Sequence, residues 1–189
     1  MVEGKTLHRL ATGPSSLVTS WQGYDIGGYT FYTIGKDKKS AAQNSGVRVE
    51  ALDVTGEKKS YYGIIQDIWE LEYGLNIQIL VLRCQWVRDT TGVSIDNYGL
   101  TVVERSKLGH KDDPWVLAER VAQVFCVKDP SDDKMDIVVS GKQHIIGIDN
   151  MKMRQITTNT MTSHCSQIFL TGSSELRQPL TKRSFRPCG

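Results

Sequence analysis

No stretch of this chain approaches the about 18 consecutive apolar residues that a membrane-crossing helix needs, so a helical membrane span is excluded. An excess of one charge is missing as well. Against 23 Lys and Arg stand 21 Asp and Glu, a net +2 over 189 residues, too little for an overall field that gathers nucleic acid. Close cysteine pairs are also absent. Cys84, Cys126, Cys165 and Cys188 form no C-x-x-C, and the four His residues are scattered, whereas zinc sites draw their ligands in near pairs. Cys84 and Cys126 are expected as buried strand thiols in a reducing, intracellular setting. The first 22 residues lack the apolar stretch of a secretory signal. One acid, Glu3, two basic residues and several hydroxyl residues there leave a mitochondrial presequence as the minority alternative.

Signatures of catalysis are missing too. There is no G-x-S-x-G nucleophile elbow, and no His sits where it suggests pairing with Ser or Cys; His110, in LGHKDDP, reads as a solvated loop residue. GYDIGG at 23–28 is no dinucleotide or phosphate loop, because no helix follows and no Lys-Ser/Thr completes a P-loop. No catalytic residue, cofactor or metal is expected.

What the chain does hold is uneven. Residues 1–50 carry a net +2, residues 51–140 a net −5 and residues 141–189 a net +5. Of 15 aromatic residues, 13 lie between Trp21 and Phe125. Aromatic side chains dominate core burial, so residues 21–148 are expected to form the folded domain. Residues 1–20 read as a lead-in, and 149–189 as a basic, disordered tail. Trp21, Trp69, Trp86 and Trp115 are expected in the core.

The domain reads as strands. GYDIGGYTFYT sets β-formers on either side of Gly27-Gly28, which suit a tight hairpin turn. SGVRVEALDV alternates Val47, Val49 and Ala51 against Arg48, Glu50 and Leu52, a half-buried strand. The β-branched and aromatic YYGIIQDIWELEY follows. In NIQILVLRCQWV, Leu80, Leu82, Cys84 and Trp86 share one face, while Ile79 and Val81 hold the other until Arg83 and Gln85 replace them. That strand should be buried on both sides at its start and on one side at its end. RDTTGVSIDNYG is a polar excursion leading to LTVVERSKL. WVLAERVAQVFCV should open with a short helical turn near Ala118–Arg120, and Asp129–Asp133 is a turn cluster. MDIVVSG is the expected last strand of the body, followed by HIIGI. Regular strands with few helix signals predict a mainly β domain: a small, partly open barrel or sandwich with a short helical turn and a disordered tail.

Paired carboxylates occur at Glu70/Glu72 and Asp112/Asp113. Glu70 and Glu72 share a strand face and could meet on a metal; an exposed strand face explains them better. KDKK at 36–39 and EKK at 57–59 read as solvated turns. In the tail, Arg177, Lys182, Arg183 and Arg186 stand in LRQPLTKRSFRPCG without an acid. They are the candidate nucleic-acid contacts, a source of nonspecific phosphate affinity; a merely basic end is the plainer alternative.

In order along the chain stand LATGP, YDIGGYTFYT, QNSGVRVEA, YYGIIQDIWELEY, LRCQWV, DNYGLTVVE, DDPWVLAERVAQVFCVKDP and IVVSGKQHIIGID. This series resembles the plant domain of unknown function found near the C-terminal end of En/Spm (CACTA) transposon proteins. Tyr62, Gly63, Glu70, Leu71, Tyr73, Cys84 and Trp86 match its pattern, as do Asp96, Tyr98, Gly99, Asp113 and Pro114. The match continues through Leu117, Ala118, Gln123, Val124, Phe125, Asp129 and Pro130, and covers roughly residues 10–150. Trp115 replaces the usual Phe, Glu119-Arg120 replaces Ser-Gln, and Cys126 replaces Tyr. The resemblance implies ancestry and no catalytic list: a transposase-associated remnant lacking the catalytic part. By analogy alone, its barrel would be like the Tudor or bromo-adjacent homology modules.

After Asn150 the resemblance fades. The family continues with an acidic, tyrosine-containing stretch where this chain reads MKMRQITTNTMTSHC. Moving the reading frame by one base turns Met151-Lys152 into Glu, Met161-Thr162 into Asp and His164-Cys165 into Leu. The basic tail is thus expected to be out-of-frame sequence, which an intact frame encoding the same tail in genomic DNA of a close relative would refute. The expected function is a non-catalytic, transposase-associated interaction module. Its partners would be transposon or host proteins, chromatin, or DNA through the tail, with no membrane. The nucleus is the expected compartment, with cytoplasm or mitochondrion as alternatives. A domesticated host factor acting through protein contacts is the second reading, and a metal-dependent nuclease at Glu70/Glu72 the third.

Overall fold

A computed structural model describes residues 2–41, 43–53, 55–74, 77–141, 155–156 and 160–163. Helix α1 (Val2–Thr12) precedes strands β1 (Leu17–Trp21), β2 (Gly23–Ile26) and β3 (Tyr29–Tyr32), and α2 (Ile34–Asp37) is a single turn. Then come β4 (Gly46–Leu52), β5 (Lys58–Glu72), β6 (Gln78–Val87), β7 (Val93–Ile95), β8 (Thr101–Val103), β9 (Leu108–Gly109) and β10 (Trp115–Leu117). A 3-10 turn (Ala118–Arg120), β11 (Val121–Lys128) and β12 (Asp136–Ser140) complete the body, and β13 (Gln155–Ile156) and β14 (Thr160–Ser163) follow. No helix among the described residues is long and apolar enough to cross a membrane.

The fold is mainly β, as the strand pattern requires: an 11-stranded sheet curled into a half-barrel, with a smaller sheet of β13, β2 and β3. The curl starts in β5. Its first half pairs with β4 and its second half with β1, while β6 runs along its other edge. Between Ile65 and Asp67 the register with β6 slips, leaving Gln66 as an extra residue; such a bulge bends a strand and increases its twist. The long strand can therefore serve two parts of one curved sheet.

Alternation along β5 and β6 then fills two layers. On the concave face Trp21, Phe31, Val47, Ile65, Ile68, Leu82, Cys84 and Trp86 are buried together, under the β2–β3 hairpin. That hairpin turns at Gly27 and Gly28, both with positive φ (58° and 79°), the conformation a two-residue turn between twisted strands needs. On the opposite face Val18, Leu71 and Val81 are buried beneath Trp69, Tyr73, Ile79, Trp115 and Leu117. Trp69 pairs with Val81 from one side of β6, and Trp115 lies opposite Arg83 on the other. Their rings meet with centroids 4.6 Å apart, and Val81 is fully buried.

β11 joins this body to a second wing. Val121–Gln123 pair with β4, and Val124–Lys128 pair with β12, which continues to β8 and β7. One face of the wing packs Val103 and Val124 on Tyr62 and Val87. Polar clips lock the junction. Asp37 accepts from the backbone N–H groups of Asn44 (3.0 Å) and Ser45 (2.7 Å), and the Gln123 amide donates to the Thr30 carbonyl at 2.5 Å. Asp136, 1% exposed, receives both Arg105 guanidinium donors at 2.6 and 3.2 Å.

Several boundaries differ from those expected. The expected division at residue 20 falls inside β1, which pairs with β5, because Val18 and Trp21 are both needed to cover the sheet. KDKK is no open turn but the end of α2, where Thr33 caps Lys36 N and Asp37 is buried. Within the segment read as a disordered tail, β13 and β14 pair with β2 and β1; HIIGI lies outside the described residues.

Candidate functional site

The paired carboxylates differ in their surroundings. Glu70 is buried and accepts a hydrogen bond from the Tyr24 hydroxyl at 3.3 Å, whereas Glu72 is exposed. Burial and the Glu70 charge push the Tyr24 phenol above its ordinary range. Asp112 is exposed and Asp113 half-buried, with one Asp113 oxygen unpartnered. Among the described residues no group of three or more His, Cys, Asp or Glu could hold a metal ion.

His110 is not simply solvated. Its Nε2 lies 3.3 Å from Asp89 Oδ1, its ring stands edge-on to Tyr61, and its φ is +51°. Lys59 holds the other Asp89 oxygen, so EKK is partly an ion-pair element, and Lys58 pairs with Glu50. Lys36 lies over the Tyr32 ring, 4.1 Å from its centre. Cys84 is buried, and burial pushes its thiol far up; Cys126 is half-buried and raised chiefly by the same cause. Neither offers a reactive thiolate. Trp21 and Trp86 are in the core, but Trp69 and Trp115 are only half-buried. Arg177, Lys182, Arg183, Arg186, Cys165 and Cys188 lie outside the described residues.

The surface that stands out lies in the stretch expected to be a polar excursion: the β7–β8 hairpin. Its turn is tightly tied. Asp96 Oδ1 accepts from the backbone N–H groups of Tyr98 and Leu100, both at 2.8 Å. Asp96 N donates to the Leu100 carbonyl at 2.9 Å, and Gly99 takes φ +80°, a conformation that Gly adopts without strain. Below the turn Val102 and Val103 are buried, at 5% and 1% exposure, and Glu104 N donates to the Gly92 carbonyl at 2.8 Å. The hairpin is anchored at its base, and its turn backbone is closed by hydrogen bonds.

That tip holds apolar side chains in water. Tyr98 is 89% exposed and Ile95 73%. A second group lies on the sheet face opposite Ile95, which pairs with Thr101: Val127, Ile137 and the buried Val102 sit side by side across β11, β12 and β8. Val139, two residues on from Ile137, points to the same face, and Val127, Val139 and Leu100 are all exposed. Single exposed apolar residues need no explanation, but several on one wing of the sheet beside an exposed aromatic make this wing the candidate interaction surface. A signal existed in the sequence. In Asp96-Asn97-Tyr98-Gly99, Asp and Gly are demanded by the turn, whereas the Tyr98 side chain stands 89% exposed.

Fold and surface together define a β-rich half-barrel domain with an exposed apolar hairpin face. Residues 69–139 match the domain of unknown function DUF4216. The matched segment runs from Trp69 in β5 to Val139 in β12 and includes the whole hairpin. No curated protein and no solved structure matches the chain.

Proposed function

We propose that this chain is a non-catalytic, transposase-associated interaction module derived from a plant CACTA-type transposon protein, acting in the nucleus by contacting protein or chromatin. The observation that carries the interaction reading is the hairpin: a turn closed by its own hydrogen bonds displays Tyr98 at 89% exposure beside an apolar face. A turn backbone already closed before binding has little conformational freedom left to lose, and tyrosine is enriched among residues that dominate interface energies. The transposon ancestry is supported by the ordered strings from LATGP to IVVSGKQHIIGID, and the region matched to DUF4216 lies within them.

The test is affinity purification of the full chain from its native tissue, wild type against a Tyr98→Ala/Ile95→Ser double variant. Both side chains face water, so the variant should fold normally. Specific partners are expected to fall several-fold in the variant. Recovery of the same partners at the same yield would remove the hairpin from the interaction.

A further inference from the structure

We infer that the edge of β1 facing away from β5 is a strand-accepting site for an extended, uncharged segment. Strand β14 is the chain's own replaceable strap over that site. The site is separate from the β7–β8 hairpin and does not depend on it.

β13 and β14 run antiparallel to consecutive parts of one stretch of chain. Gln155 and Ile156 pair with Tyr24 and Gly23, and Thr160 to Ser163 pair with Ser20 to Leu17. From Gly23 to Ser20 is three residues and from Ile156 to Thr160 four, so the two pairings are one residue out of step. The segment read from sequence as a disordered tail therefore returns to the body along β1 and β2.

β1 is anchored from its other side. It pairs with β5 from Val18–Leu71 to Trp21–Ile68. Val18 is buried with Leu71 and Val81, and Trp21 with Ile68 and Leu82. The acceptor edge is thus held in place by strands other than the one that covers it. Among the described residues β14 is four residues long and pairs with β1 alone. A short strand held along one edge belongs to the low end of local stability. Once it leaves, β1 offers unpaired backbone donors and acceptors to any extended chain.

Composition describes the occupant. Residues 155–163 read QITTNTMTS, without a charged side chain, inside a segment of net +5. Leu17–Trp21 reads LVTSW, also uncharged. Ser20 stands opposite Thr160, a hydroxyl pair of the kind that stabilises neighbouring strands, and Thr is favoured in strands. In strand addition the main chain supplies the affinity, so another protein's extended segment, rich in Thr and Ser and free of charge, fits the same edge after displacing β14.

Fluorescence anisotropy of a labelled synthetic peptide, QITTNTMTS, titrated with the full chain tests this. The wild type is compared with Met161→Pro/Thr162→Pro. Proline has no N–H and breaks a ladder, so the variant opens the strap and leaves the sequence of β1 untouched. A strap closed at least about nine-tenths of the time weakens apparent affinity at least about tenfold; the variant is expected to bind the peptide tighter by that factor. The same peptide carrying both prolines should not bind. Hydrogen exchange should show the amides of Leu17–Trp21 opening in the variant and protected again by the peptide. A variant that folds by circular dichroism yet binds no peptide overturns the inference. Equal affinity in wild type and variant does so as well, as does protection that arises in β7 instead of β1. A variant that no longer folds also overturns it, because β14 is then an integral strand and not a strap.

Discussion

Asp89 illustrates how one residue's role depends on neighbours that sequence does not reveal. It belongs to a polar stretch, yet its side chain is 15% exposed and sits between Lys59 and His110. Burial pushes its carboxyl up, but the Lys59 ammonium and the His110 imidazole outweigh that and hold it below the usual range. Lys59 is raised in turn, first by its hydrogen bond to Asp89. The stabilisation from a lowered carboxyl is present above its unfolded value of about 3.9 and is lost as pH falls through the folded value. That from a raised lysine is present below its unfolded value of about 10.4 and is lost as pH rises through the folded one. Lys59→Met should therefore be less stable than wild type near neutrality, with the difference shrinking at both acid and alkaline ends. Urea midpoints measured across pH would show it, and a pH-independent difference would mean the pair contributes nothing. Cys84 was more legible: its place on the Leu80–Trp86 face already predicted a buried strand thiol, and Cys84 is buried.

At the scale of elements, strands and turns were largely readable because their signals are local. The Gly27-Gly28 hairpin, the two-sided then one-sided burial of β6, the turn at Ala118–Arg120 and the Asp129 cluster all follow from alternation and turn chemistry within a few residues. The bulge at Gln66 and the split pairing of β5 were not, since they depend on strands distant in sequence. Gly63 shows the same limit. A Cβ there would lie 2.5 and 2.9 Å from the Trp86 ring, because the strand crosses directly beneath that indole. Gly63→Ala is expected to cost about 1–3 kcal/mol, the usual penalty for overpacking a filled core. Urea unfolding would measure the loss, and near-UV circular dichroism would show Trp86 displaced. An unchanged midpoint would mean that the indole moves aside freely.

On the whole-molecule scale, a net charge of +2 conceals a segment at −5 and an end at +5. If Arg177, Lys182, Arg183 and Arg186 supply phosphate affinity, replacing all four by Gln should flatten the dependence of log K on log salt for duplex DNA. The slope should fall by about 0.9 for each phosphate that the variant no longer neutralises. Titration of both full-length proteins by fluorescence anisotropy would decide. An unchanged slope would move the DNA-binding surface to the β body. Sequence by itself determined the class of fold, the order of the strands and the chemistry of the turns, because the two-residue alternation and the demands of tight turns act over neighbouring residues. Only the tertiary structure decided which apolar faces are covered. It buried Glu70 against Tyr24, set Trp69 against Trp115 over Val81, and left Tyr98 and its neighbours in water. An apolar alternation looks the same whether its cover comes from the same chain or from another, and only the packing of distant strands tells the two apart.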